Sequence, residues 1–130
     1  MPVAWSERYE TGEDKIDRQH ETLFGCINQL EEMVAQDEIS DAKVKELLQF
    51  LENYTRIHFA YEEMCMFRLK CPVHEVNIDA HDKFTKAIED FTARFAREGA
   101  SKRLLQEMYD AASKWLVNHI CKIDQKLQAV

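Results

Sequence analysis

Four stretches of the chain carry apolar residues at steps of three and four positions, the spacing of one face of an α-helix. The stretches run from Ile16 to Val34, Val44 to Cys65, Asn77 to Phe95 and Leu105 to Ile123. The chain has only 3 Gly and 2 Pro in 130 residues, which leaves few turn residues for a many-stranded sheet. The pattern therefore predicts an all-α protein with four long helices, preceded by an N-terminal arm that turns at Gly12.

The residues between these stretches are typical of helix ends. Ser40 and Ser101 are placed to cap the N-termini of the second and fourth helices. Pro72 ends the second helix, because proline disfavours helical backbone in the residue before it, and Gly99 ends the third. Connections this short force antiparallel neighbours, so we expect an up-down-up-down four-helix bundle. Residues 1–130 are expected to form a single domain.

Charge and cysteine content exclude several classes of protein. Lys and Arg total 17 against 24 Asp and Glu, a net charge of −7, and no basic run with interleaved aromatic residues predicts nucleic-acid binding. The start of the chain has no secretory apolar segment, and no stretch is long enough to span a bilayer. We therefore expect a cytoplasmic protein without a membrane partner. Its cysteines lack C-x-x-C spacing, which indicates free thiols.

Four histidines and two carboxylates fall near one end of the predicted bundle. These residues are His20, His58, Glu62, His81, His119 and Asp124. His20 and His58 lie equally far from the first turn, near residue 38 or 39, and His81 and His119 balance in the same way around residue 100. Both pairs are therefore roughly 28 Å from their turns, so all six side chains should converge in one layer.

Such a layer indicates a site for two metal ions. Burying these groups without a cation would cost several kcal/mol each. Imidazole suits Zn, Cu, Fe and Ni, and carboxylates can bridge two ions. The set exceeds what one tetrahedral zinc needs and suits two irons that share both carboxylates. The Glu-x-x-His motif of ferritin-like sites and the H-E-x-x-H motif of metalloproteases are both absent.

Long motifs in three parts of the chain resemble the hemerythrin family. The arm and first helix carry Trp5, Tyr9, Gly12, Ile16-Asp17 and Gln19-His20, the second helix carries HFAYEEMCM (58–66), and the fourth carries WLVNHICKID (115–124). The resemblance implies a four-helix bundle with a non-haem di-iron centre that binds dioxygen reversibly.

Carried over position by position, the resemblance assigns roles to the six residues. His20 and His58 would hold one iron, and His81 and His119 would help to hold the other. Glu62 and Asp124 would bridge both irons, beside an oxo or hydroxo bridge, in diferrous and diferric forms.

This sequence departs from the family pattern at Asn77, where the family normally has a histidine. The second iron would then have two imidazoles instead of three, so an open or weakly held position is expected on both irons. Water or hydroxide would fill the vacated position more readily than the Asn77 amide oxygen. His74, just after Pro72, is an alternative replacement, and otherwise a surface histidine.

Apolar residues next to the ligands are candidates for the wall of a dioxygen pocket. They are Phe59, Trp115, Leu116 and Ile120. Plain core packing explains the same residues equally well.

The interpretation we favour is a di-iron domain that binds dioxygen and senses oxygen or redox state, without catalytic turnover. Azide-like anions and nitric oxide are further expected ligands. Bacterial relatives occur alone or fused to chemotaxis receptors and diguanylate cyclases, so the chain fits a sensor module of a longer signalling protein as well as a stand-alone protein. The alternatives are a dioxygen carrier or store, and a peroxidase, oxidase or nitric oxide-handling enzyme. Asn77 weighs against the carrier, because a more open iron should lose bound dioxygen as superoxide or peroxide more readily.

Overall fold

The computed structural model describes residues 3–129, and four helices make up most of them. These are α1 (Asp14–Val34), α2 (Asp41–Arg68), α3 (His74–Glu98) and α4 (Lys102–Lys122). A short 3-10 helix at Glu7–Tyr9 precedes α1, and another at Asp124–Ala129 follows α4. The described residues contain no strand, so the predicted all-α fold is confirmed.

The helices pack in chain order around a main apolar core, and Ile16, Met66, Cys71 and Leu127 form a second, smaller cluster. Helix α1 contacts both α2 and α4, and α3 closes the ring against α2 and α4. This arrangement is the antiparallel four-helix bundle that the short connections predicted. None of the described helices has the length and apolar character needed to cross a membrane.

The two predicted serine caps and the predicted stop at Gly99 are confirmed. The Ser40 hydroxyl accepts a hydrogen bond from the Lys43 N–H at 3.3 Å, and the Ser101 hydroxyl accepts one from the Leu104 N–H at 3.1 Å. Gly99 stops α3 with φ of 75°, a conformation that L-residues rarely adopt. The carboxylate of Glu13 caps α1, a cap that the sequence patterns did not indicate.

The main core is apolar from the α1–α2 and α3–α4 turns to the layer that contains the four buried histidines. Ile27, Leu30, Leu51 and Leu105 are at most 1% exposed, and each such side chain contributes about 1.5–3 kcal/mol by leaving water. The predicted core face of α3, from Asn77 to Phe95, is buried only as far as Ile88. Phe91 and Phe95 are half-buried and lie at the edge of the core. On α2 the fully buried residue near the C-terminus is Met66, and Cys65 is half-buried.

The end of α4 differs from the expectation. The helix stops at Lys122, and Asp124, expected on α4, begins the following 3-10 helix. Ile123, with φ of −120° and ψ of −61°, ends the α-helical geometry. Gln125, the second residue of the 3-10 helix, donates its side-chain N–H to the backbone carbonyls of Arg8 at 2.6 Å and Glu10 at 3.1 Å, so the N-terminal arm holds this 3-10 helix in place.

Candidate metal centre

The six side chains predicted to converge do so, at the end of the bundle away from the α1–α2 and α3–α4 turns. Each is at most 5% exposed. They form two overlapping groups in which the ligand atoms lie within 4.8 Å of one another. One group contains His20 and His58, the other contains His81 and His119, and Glu62 and Asp124 belong to both.

Both carboxylates point one oxygen toward each histidine pair. Glu62 Oε2 lies 3.3 Å from His20 Nε2 and 3.4 Å from His58 Nε2. The other oxygen, Oε1, lies 3.0 Å from His81 Nε2 and 3.9 Å from His119 Nε2. Asp124 repeats the pattern, with Oδ2 3.1 Å from His20 Nε2 and Oδ1 3.0 Å from His119 Nε2. Carboxylates placed in this way can bridge two cations.

Several of these atoms are close together without being hydrogen-bonded. The Nε2 atoms of His20 and His119, Oε2 of Glu62 and both carboxylate oxygens of Asp124 are buried and lack a hydrogen-bond partner within the described part of the chain. A buried polar atom left without a partner costs about 1–3 kcal/mol. Cations between the imidazoles and the carboxylates would satisfy all of these atoms at once, so the residues present fit a pair of metal ions.

The electrostatics of the layer favour positive charge. Burial alone lowers the pKa of His20, but the neighbouring carboxylates of Asp124 and Glu62 outweigh it and raise the pKa to about 9. Burial raises the pKa of Glu62, yet His20, His58 and His81 together hold that pKa well below its usual range. A layer that stabilises imidazolium in this way attracts metal cations by the same Coulomb interaction.

Two outer residues contact imidazole rings of the layer, and the spacing of the sequence did not indicate either contact. Gln19 Oε1 lies 2.6 Å from His58 Nδ1, and Glu63 Oε2 lies 2.8 Å from His81 Nδ1. A proton on each Nδ1 makes these contacts hydrogen bonds and leaves Nε2 free to bind a metal. The available signal was their position, because each polar residue directly adjoins a ligand, His20 or Glu62, in the chain.

Asn77 lies inside the layer, and His74 does not. The Asn77 amide donates to Glu62 Oε1 at 2.9 Å and to Met66 Sδ at 3.2 Å, while its own oxygen is buried without a hydrogen-bond partner. His74 begins α3 and packs against the ring of Phe67, which is 71% exposed. It belongs to neither ligand group.

Aromatic rings cover the histidines of the second pair. Phe59 stacks on His81 with ring centroids 3.8 Å apart, and Trp115 stacks on His119 at 4.3 Å. Phe59, Trp115 and Leu116 also line a small apolar cavity in the core beside this layer. Ile120, the fourth predicted wall residue, is fully buried but is not one of the residues that line this cavity.

Fold and site together define a metal-binding helical bundle, and comparison with known proteins gives its family. The model of the hemerythrin HHE cation binding domain matches residues 11–130. A bacteriohemerythrin of Stenotrophomonas maltophilia is 32% identical over 95% of this chain and 77% of its own length. One from Clostridium acetobutylicum is 29% identical over 95% and 96%. The crystal structure of wild-type hemerythrin, 26% identical, covers 96% of this chain and 94% of that one with a TM-score of 0.79. The chain belongs to the hemerythrin family.

Proposed function

We propose that this chain binds dioxygen at a non-haem di-iron centre and senses oxygen or redox state, with no catalytic turnover of its own. The observation that carries the proposal is the orientation of Glu62 and Asp124, each of which offers one oxygen to either histidine pair. Bridging carboxylates between two imidazole pairs suit two irons better than one tetrahedral zinc. The hemerythrin membership favours the same metal.

Each residue of the layer has a distinct part in the proposed site. His20 and His58 would hold one iron, His81 and His119 the other, with Glu62 and Asp124 shared. A diferrous pair supplies reducing electrons to dioxygen when the metals are bound. Phe59 and Trp115 would exclude water from the bound gas, because they stack on His81 and His119. The buried side chains of Leu116 and Ile120 would extend this apolar wall.

Asn77 supports a sensor over a carrier. Its amide hydrogen-bonds to Glu62, and His74 lies outside the layer, so two imidazoles face each proposed iron position. A second iron held by His81 and His119 would have one imidazole fewer than the family pattern provides. Irons held at such an open site would supply two electrons that reduce dioxygen to peroxide and would themselves become diferric, which suits a lasting redox signal better than reversible storage.

The same open position makes a di-iron enzyme the second candidate. A peroxidase, an oxidase or a nitric oxide-handling enzyme needs room for a substrate beside the dioxygen position. A dioxygen carrier or store is the third candidate and the least supported. In the sensing proposal residues 1–130 act as a cytoplasmic input domain, and a diguanylate cyclase or chemotaxis receptor domain is the class of output partner it fits.

Iron content and ligand binding test the proposal. Protein made with iron available should carry about two irons per chain, as the shared carboxylates require. The diferrous form should take up dioxygen and convert quickly to a stable diferric form. Protein that holds one zinc and no iron would contradict the di-iron centre. Sustained turnover of peroxide or nitric oxide would favour the enzyme.

The substitution Asn77→His tests the open position. Restored imidazole should close the extra site, so that the diferric protein binds fewer azide ions per chain and the oxygen adduct lives longer. The variant His74→Ala is the control, and it should change neither property because His74 packs on Phe67. If Asn77→His leaves azide stoichiometry and autoxidation rate as they were, the position is already filled and the sensing proposal is overturned.

A further inference from the structure

The outer partners of the two histidine pairs differ in charge. His58 faces the neutral amide oxygen of Gln19, whereas His81 faces the carboxylate of Glu63. His20 Nδ1, the other outward nitrogen of the first pair, is buried with no hydrogen-bond partner among the described side chains. The second pair therefore has an anionic outer partner, and the outer contact found for the first pair is neutral.

Helix α2 holds the His81 ring on three sides. Phe59 stacks on its face with planes 8° apart, Glu62 Oε1 lies 3.0 Å from Nε2, and Glu63 Oε2 lies 2.8 Å from Nδ1. All three residues come from one turn of α2, so the orientation of His81, which belongs to α3, is set by its neighbour helix. A ligand ring fixed in this way loses little freedom when it binds a metal.

A carboxylate and an amide act differently on a metal-bound imidazole. Both accept a hydrogen bond from the Nδ1–H group and fix the tautomer that presents Nε2 to the metal. The carboxylate also adds a negative charge and makes the stronger hydrogen bond, which raises the electron donation of Nε2. Glu63 is 28% exposed, so solvent screens part of its charge but leaves the contact with the buried ring.

The anionic partner lies on the side that lacks an imidazole. Asn77 and His81 are both on α3, and the vacated ligand position belongs to the His81/His119 pair. We propose that Glu63 is a positioning residue that strengthens metal binding at the His81/His119 side and offsets the imidazole that Asn77 does not provide. The inference rests on the proposed function in one respect, that two metals bind.

The charge of Glu63 can be removed with a matched control. Glu63→Gln keeps the shape of the side chain and an oxygen that can accept a hydrogen bond from His81 Nδ1–H, but it removes the charge. Glu89→Gln removes the same charge from the same surface groove, which both residues line, and Glu89 has no described contact with a ligand. Gln19→Glu places a carboxylate on His58 and is the converse variant.

The test is an anaerobic titration of chelator-treated full-length protein with ferrous iron against a competing chelator. Wild type should show two binding steps. Glu63→Gln should weaken one step by about 10- to 100-fold and leave the other within about threefold, the size expected when an outer partner of a ligand is lost. Gln19→Glu should strengthen the step that Glu63→Gln leaves unchanged, and Glu89→Gln should alter neither step.

Potentiometry of the iron-loaded protein supplies a second readout. Loss of the Glu63 charge should raise the reduction potential of one iron, because the ferric form loses stabilising negative charge. The variant Glu63→Asp, which restores the charge, should recover part of both effects. Circular dichroism establishes that each variant is folded, and the partial exposure of Glu63 favours tolerance of the substitution.

The outcomes separate this inference from the proposed function. Two wild-type binding steps that Glu63→Gln leaves unchanged would overturn the role of Glu63 while the di-iron proposal stands. Equal weakening of both steps would also overturn it, because the effect would not belong to one side. A single step that takes up two irons would overturn the one-sided role of Glu63 and leave the di-iron proposal standing, whereas binding of only one iron per wild-type chain would overturn both proposals.

Discussion

The two ends of this bundle are built from opposite kinds of side chain. Toward the α1–α2 and α3–α4 turns the helices bury aliphatic residues such as Leu30 and Leu105, which need nothing but one another. At the other end the same four helices, with the 3-10 helix after α4, bury four imidazoles and two carboxylates. The turn end is a packed apolar core, whereas the other end combines this polar layer with a smaller apolar cluster of Ile16, Met66, Cys71 and Leu127.

This difference divides the work of stabilising the molecule. Each buried aliphatic residue at the turn end contributes about 1.5–3 kcal/mol whether or not metal is present. At the ligand end, each buried polar atom without a partner subtracts about 1–3 kcal/mol. The apolar end therefore stabilises the fold, whereas the polar layer lowers its stability in the absence of metal. The two ends should respond differently to metal removal and to mutation.

Metal removal should give the largest effect and should act on one end alone. Chelation should lower the free energy of unfolding by about 4 kcal/mol if free metal had exceeded its dissociation constant 1,000-fold. Hydrogen exchange should accelerate first at the amides near His58 and His119 and last near Leu30. Asp124→Ala, which lacks a shared ligand, is the control and should show little further loss on chelation. Uniform acceleration along all four helices would show that the ends are not independent.

A cavity in the apolar end should have a slightly smaller effect that does not depend on metal. Leu105→Ala should reduce the free energy of unfolding by about 3 kcal/mol, since it removes a fully buried side chain. The loss should be equal in iron-loaded and chelated protein, because distant sites are additive. Ile57→Ala, at a side chain that is 65% exposed, is the matched control and should change stability by less than about 0.5 kcal/mol. A loss of unfolding free energy that appears only in the iron-loaded form would show that the two ends are energetically coupled.

The smallest effect should come from a helix cap at the turn end. Ser101→Ala removes the acceptor for the Leu104 N–H and should destabilise the protein by about 1 kcal/mol. Iron content should stay the same, because the cap lies at the far end of α4 from His119. Ser101→Asp preserves an acceptor and should retain most of the stability. Reduced iron loading in Ser101→Ala would show that the position of α4 at one end controls ligand geometry at the other.

Most of the fold was predictable because apolar periodicity and cap residues are local signals. The steps of three and four residues and the two serine caps located the helices to within a few residues. The convergence of the ligands followed from counting, since an antiparallel bundle with short turns leaves little freedom of register. The metal-ligand roles of the six residues stay predictions, supported by their geometry.

What the sequence did not indicate depends on side-chain direction between helices. That Glu63 reaches His81 and Gln19 reaches His58 follows from rotamers and from the way α1, α2 and α3 pack, which no spacing rule gives. The position of Asp124 in a 3-10 helix was missed for a related reason. Ile123 continues the apolar pattern of α4, so periodicity alone extends the helix past its observed end at Lys122.

The hydrogen bonds between Gln125 and the N-terminal arm have a consequence for the order of folding. They join residues 117 and 115 positions apart, so they close nearly the longest loop that this chain can form. The entropy lost on closing a loop grows with its length, which makes this contact a late event. Asp124 sits beside Gln125, and the last carboxylate should therefore enter the layer only after the four helices have assembled. A growing or partly folded chain would offer iron an incomplete set of ligands. Tight metal retention would therefore indicate a molecule in which the N-terminal arm already contacts the 3-10 helix after α4.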